Sequence, residues 1–228
     1  MSRTILNRQR ESLASGKSSR IQSRALITAS AIAIAFTASF LLSRHDYRPV
    51  QETFYGYVLV PAKDAYDFHL IDQNGNPFHL NQLHGKVVLL SFGYTHCPDV
   101  CPTTLTDFTN IYRALPEKDR RRVQILFISV DPHRDHSDTL KEYLSYFDRS
   151  FIGLTGGVDQ IEETATSYEA PYTTIHPPGA APEVYFINHS PFAYLVSPSG
   201  KLQLRYLFDQ LGNTAKVAAD IEKLLAGT

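Results

Sequence analysis

The sequence predicts an α/β domain: a mostly parallel sheet with an antiparallel edge, entered through an N-terminal β-hairpin and preceded by a single transmembrane helix. Three observations carry that expectation. Residues 25–43 contain no charge at all. Downstream, strand-length apolar runs alternate with segments of helical period, the pattern of a βαβ sheet. Turn signals join neighbouring strands near both ends of the domain, at Asn74-Gly75-Asn76-Pro77 and at Ser197-Pro198-Ser199-Gly200. A chain of 228 residues suits one domain with an appendage. A net charge of −1 with 43% hydrophobic residues excludes a disordered charged tail, and no basic excess of the kind that grips nucleic acid is present. Two cysteines exclude a disulfide-stapled mini-protein.

Residues 1–24 carry six Lys/Arg against Glu11, a local charge of +5, whereas residues 44–228 carry −6. Between them lies ALITASAIAIAFTASFLLS, 19 residues. As a helix it reaches about 28 Å at roughly 1.5 Å per residue, just enough for a hydrocarbon core. A cleavable signal peptide would have a shorter apolar run and a small-x-small site, which Ala38-Ser39-Phe40 matches poorly. The segment is therefore expected to be an uncleaved anchor. The positive-inside rule then keeps 1–24 in the cytoplasm. Residues 44–53 form a tether, and 54–228 form a domain on the far side. This predicts a single-pass protein of the inner (cytoplasmic) membrane with its C-terminal domain in the periplasm. The eukaryotic counterpart would be the mitochondrial inner membrane.

The expected strands are Phe54–Val60, Phe68–Ile71, Phe78–Leu80, Val87–Phe92, Val123–Val130, Val184–Ile187, Ala193–Val196 and Leu202–Leu207. Val123–Val130 is a continuous apolar run, as in a strand buried on both faces. The expected helices are Thr103–Leu115, stopped by Pro116, then Asp138–Phe147 with Ser137 or Asp138 as cap, Asp159–Tyr168 and Thr214–Leu225. The order is β-hairpin, β, α, β, α, β, α, β-hairpin, α, a thioredoxin-like arrangement. His176-Pro177-Pro178-Gly179-Ala180-Ala181-Pro182 forms a loop before the strand that carries His189.

The chemistry concentrates in Ser91-Phe92-Gly93-Tyr94-Thr95-His96-Cys97-Pro98-Asp99-Val100-Cys101-Pro102-Thr103-Thr104, which follows a strand and opens a helix. Pro102 lacks an N–H and belongs in the first helical turn. Cys97 and Cys101 then sit in the turn and at the helix N-terminus, where backbone N–H groups and the helix dipole favour thiolate. Two thiolates prefer Cu(I) or zinc over hard cations. Zinc normally wants four ligands, and there is no second cysteine pair. Cu(I) accepts two or three, so two sulfurs and one imidazole suffice. The competing reading is a structural disulfide, whose five-residue loop would stabilise the chain little.

FGYTHCPDVCPTTL resembles the copper-loop signature of the Sco/SenC family, assembly factors of cytochrome c oxidase. ISVDPHRD, residues 128–135, and the His189 segment resemble two further blocks in the same order, so the likeness covers roughly residues 60–228. The resemblance implies a thioredoxin-like fold that binds one copper, Cu(I) with Cu(II) as a second state, through Cys97, Cys101 and His189. It also implies a metallochaperone that serves the binuclear copper centre of oxidase subunit II and receives copper from a periplasmic donor protein. The alternative is a thiol–disulfide oxidoreductase acting through Cys97 and Cys101 on cysteines of subunit II or of other extracytoplasmic proteins.

Eight other histidines compete with His189. His96 should point away from its neighbour Cys97. His133 and His136 belong to a loop facing the same rim, and His45, His69, His79, His84 and His176 have no motif around them. The chain departs from the family's Val-Asp-His pattern, having Ile187-Asn188-His189. Pro191 is also unusual in the family; its place at the start of a strand predicts a cis Ser190–Pro191 bond. Asp131 ends a central strand, at the edge where α/β sheets bind ligands, and reads first as a turn residue before Pro132 and second as a functional residue. Tyr94 reads as a core aromatic that packs over the site.

Overall fold

A computed structural model describes residues 54–227. The chain enters as β1 (Tyr57–Asp64), whose mostly exposed side chains suit a sheet edge. Its register shifts between Val58 and Lys63, around Pro61, which has no N–H for the ladder. β2 (His69–Asp72) and β3 (Pro77–His79) form the expected hairpin, with Gly75 at φ 79° in the turn. β4 (Val87–Gly93) is buried along its whole length. Helix α1 (Val100–Ala114) follows, then β5 (Val123–Ser129), α2 (Ser137–Ser145), β6 (Ile152–Thr155) and α3 (Val158–Ser167). β7 (Tyr172–Ile175), β8 (Phe186–His189), β9 (Phe192–Val196), β10 (Lys201–Leu207) and α4 (Thr214–Ala226) complete the chain.

Eight strands form one sheet in the order β1-β10-β9-β4-β5-β6-β2-β3. The trio β4-β5-β6 is parallel, and β9 joins β4 antiparallel. The near-continuous apolar runs of β4 and β5 follow from burial on both faces. α1 packs against α4. α2 packs on β6 at Gly153, where a Cβ would lie 2.8 Å from Leu144 Cδ1. β7 and β8 pair only with each other, as a separate two-stranded ribbon.

Several expectations need correction. The terminal hairpin β9–β10 lies inside the sheet, because β1 covers its outer side. The strand between the second and third helices is Ile152–Thr155, too short and Gly-interrupted to stand out. β7 carried no sequence signal because three of its four residues are exposed. Ser137 does not cap α2; its hydroxyl donates to the Asp72 carbonyl instead. The Ser190–Pro191 bond is trans, and the one cis bond among the described residues is Val60–Pro61. Residues 190 and 191 carry the chain directly from β8 into β9 with no tight turn, so the ordinary trans preference of about 0.5–1 kcal/mol prevails. Among the described residues no helix is long and apolar enough to cross a membrane; the segment expected to be an anchor, 25–43, lies outside them.

The start of the domain is pinned by Asp220 of α4, which is fully buried. Its carboxylate accepts the Tyr55 N–H at 2.8 Å, the Gly56 N–H at 2.9 Å and the Tyr206 hydroxyl at 3.0 Å. A buried carboxylate is tolerated when several donors satisfy it.

Candidate metal centre

β4 ends at Gly93, and residues 94–99 loop over the sheet edge before α1 begins. Cys101 falls in the first turn of α1 and is 2% exposed, while Cys97 in the loop is half-buried. Both are free thiols. Gly93 gives Cys101 its room: a Cβ there would lie 2.7 Å from both Cys101 Sγ and Phe127 Cε2. Pro102 stands in the first helical turn, where its missing N–H has no consequence.

His189 closes the cluster from β8. The donor atoms of Cys97, Cys101 and His189 all lie within 4.8 Å of one another, the only such group of three or more among the described residues. Cys101 Sγ is 3.3 Å from His189 Nε2. His189 Nδ1 is 3.0 Å from the Ser190 carbonyl. A carbonyl only accepts, so Nδ1 carries the proton and the Nε2 lone pair faces the sulfurs. Metal bonds of about 2.0–2.3 Å to nitrogen and sulfur fit three donors at this separation. The donor set, two sulfurs and one imidazole, suits a soft ion such as Cu(I).

The two thiols share one charge unequally. The hydrogen bond from Cys101 holds the Cys97 thiol far below its ordinary range, with desolvation opposing. The same bond, with burial and the charge on Cys97, pushes Cys101 well above its range. Cys97 is therefore the thiolate and Cys101 the proton holder. Behind them lies a crevice of about 10 Å³ bordered by Cys101, Phe127, His189 and Pro191. It has no room for an organic substrate.

The loop after β5 braces this site. Asp135, fully buried, accepts the Thr95 N–H at 2.9 Å and the Thr95 and Ser129 hydroxyls at 2.6 Å each. Asp131 is also buried, and is more than a turn residue: it accepts hydrogen bonds from Arg134 Nε and, at 2.7 Å, from the Tyr185 hydroxyl. Tyr94 is core and site wall together. Its ring meets His189 edge-on at 5.9 Å, and its hydroxyl accepts the Ile187 N–H at 3.2 Å.

The other described histidines stay outside the cluster. His96 turns toward Thr95 and Asp135, as its position beside Cys97 predicts. His133 and His176 border a separate 410 Å³ groove beside the ribbon, and His136 is exposed. His69 and His79 stack across β2 and β3 with rings 5.4 Å apart and 24° from parallel, so their in-plane lone pairs do not converge. Asn188 is exposed on β8 beside His189. Gly93, Arg134, Asp135 and Tyr185 were not distinguishable as site residues by type. Three of them lie in the two motif blocks, and that was their only signal.

A family model described as SCO1/SenC matches residues 60–226. The Saccharomyces cerevisiae protein named "Protein SCO2, mitochondrial" is 41% identical over 158 residues, covering 69% of this chain and 50% of the yeast protein. The match thus spans about half the length of that relative. Among solved structures, the apo Sco1 protein from Thermus thermophilus has a TM-score of 0.68 at 40% identity, covering 75% of this chain and 97% of that one. Bradyrhizobium japonicum ScoI with copper bound has a TM-score of 0.63 at 36% identity, covering 71% and 99% respectively.

Proposed function

The chain belongs to the SCO1/SenC family, and we propose that it is a membrane-tethered copper carrier that holds one Cu(I) on Cys97, Cys101 and His189 for the binuclear copper centre of cytochrome c oxidase subunit II. The observation that carries this reading is the convergence of His189 Nε2 on the two sulfurs, across 88 residues of sequence. Thiol exchange needs the sulfurs alone; a three-donor site needs the imidazole, held in the tautomer that leaves Nε2 free. Copper is cargo here. Cys97 is the more exposed ligand, so an incoming partner thiolate meets it first, while Cys101 and His189 keep hold of the ion until replacements arrive. We place 25–43 in the inner membrane with residues 54–228 on its periplasmic side, which puts the site where a periplasmic copper donor and the oxidase subunit meet. The mitochondrial inner membrane would be the eukaryotic equivalent.

The asymmetry of the thiols favours one alternative. A thiolate at Cys97 beside a protonated Cys101 is an attacking thiol with a resolving partner, the arrangement of a thiol–disulfide exchanger. Copper stoichiometry separates the two readings. The reduced full chain in detergent, loaded with Cu(I), should hold close to one copper, and His189→Ala should hold it more weakly. Little copper in either protein, with both thiols still reactive, would replace the carrier by the exchanger.

A further inference from the structure

His189 is carried by an element the main sheet does not hold. Among the described residues the ribbon β7–β8 has no ladder to any other strand. It is placed by its continuation into β9, by Ile187 buried in the core with Tyr172 packed against it, by the Tyr94 hydroxyl that accepts the Ile187 N–H, and by a group of side chains at Tyr185. There Arg134 Nη1 donates to the Tyr185 carbonyl at 3.1 Å, and the guanidinium lies 3.6 Å from the centre of the Tyr185 ring. Arg134 Nε donates to Asp131, whose other oxygen accepts the Tyr185 hydroxyl at 2.7 Å. The guanidinium also lies 5.7 Å from the Tyr94 ring, which meets His189 on its edge. The side chain of Arg134 is 20% exposed and that of Asp131 1%, so the pair is largely shielded from water.

We infer that Arg134 is a positioning residue for the third copper ligand: with Asp131 and Tyr185 it clasps the ribbon to the loop after β5 and so holds His189 against the sulfurs. The same loop holds the cysteine side through Asp135 and Thr95, so residues 131–135 set the distance between the two halves of the site. A planar guanidinium can stack on a ring while donating in two directions, whereas an ammonium cannot reproduce that fork. Without the clasp, the ribbon must be ordered when the metal binds, and that entropy comes out of the affinity. Residues that orient metal ligands commonly change metal affinity by about 10- to 100-fold.

The inference rests on the copper-carrier reading, and a double-mutant cycle on the full chain in detergent tests the two separately. Cu(I) affinity is measured by competition with a chromophoric chelator for wild type, Arg134→Gln, His189→Ala and the double variant. Circular dichroism confirms folding of each. The expected result is weaker binding in Arg134→Gln by about 10- to 100-fold, and a double variant no weaker than His189→Ala alone. Arg134→Lys should not restore the loss. Tyr185→Phe, which keeps the ring but removes the bond to Asp131, should weaken binding less and again only when His189 is present. It carries the cycle if Arg134→Gln does not fold. Wild-type affinity in the folded clasp variants, or losses that multiply in the double variant, would overturn the inference and leave the carrier reading intact. Failure of the wild type to hold copper would overturn both.

Discussion

The cysteine arm of the site grows from the middle of the main sheet, whereas the histidine arm hangs on a two-stranded ribbon beside it. β4 is buried throughout and bonded to strands on both sides, and the loop it feeds is tied down by a buried carboxylate. The ribbon has exposed Ile175 and Phe186 side by side and is joined to the rest of the domain by side-chain contacts and by its continuation into β9. A carrier must bind its cargo and release it. On the proposed carrier reading, the buried base fixes Cys101 while the less supported ribbon lets the imidazole follow the ion as the exposed Cys97 is replaced.

If the cysteine arm is the rigid one, its supports should be costly to remove. The largest effect is expected from Asp135→Ala, which leaves the Thr95 N–H and two hydroxyls without their acceptor. Losing hydrogen bonds to a buried charge costs about 3 kcal/mol or more, read as a lower urea midpoint, and Cu(I) binding should weaken with it. An unchanged midpoint would mean that the loop holds itself. Next, Cys97 should be alkylated by iodoacetamide at pH 6 nearly as fast as at neutrality. Its thiol lies far below the ordinary value of about 8.5, whereas an ordinary thiol slows about tenfold per pH unit in that range. A tenfold slowing for Cys97 would remove the thiolate from the resting site. Gly93→Ala forces a Cβ against Cys101 Sγ and Phe127, and overpacking of this kind costs about 1–3 kcal/mol. Thermal unfolding measures it, and a neutral result would show slack beneath Cys101. The smallest effect belongs to the histidine arm. Asn188 is exposed and alternates in direction with His189 along β8. Asn188→Asp should raise Cu(II) affinity relative to Cu(I) by less than about tenfold, as expected for a solvated charge near a site. A larger gain would show that residue 188 acts on the metal directly.

The sequence made the cysteine arm easy to read and the histidine arm hard. Cys97 and Cys101 stand in one continuous block between a strand and a helix, and local rules suffice: Pro102 places the helix start, and the helix start places the sulfurs. His189 is marked only by the resemblance of its segment to a family block, and no local geometric rule ties it to the sulfurs. Its approach to the sulfurs depends on where the β7–β8 ribbon lies, and β7 is so short and exposed that no periodicity marks it. The expected cis bond at Pro191 failed for a related reason. Position at a strand start favours it, but the path from ribbon to sheet needs no tight turn there.

Asp131 and Asp135 show the same division within five residues. Both are acids in a loop after a strand, and residue type alone does not separate them. Folding buries both and gives them opposite duties, one toward Tyr185 on the ribbon and the other toward Thr95 in the cysteine loop.

By itself, the sequence determined the elements of the α/β domain, the softness of the site and the position of its sulfurs. Hydrophobic period, turn chemistry and thiol chemistry act over a few neighbouring residues. Only the tertiary structure decided how His189 reaches the sulfurs, which thiol keeps the proton and what holds the ribbon in place. Those depend on contacts between segments some 40 to 90 residues apart, where burial and strand pairing, not local preference, set the distances.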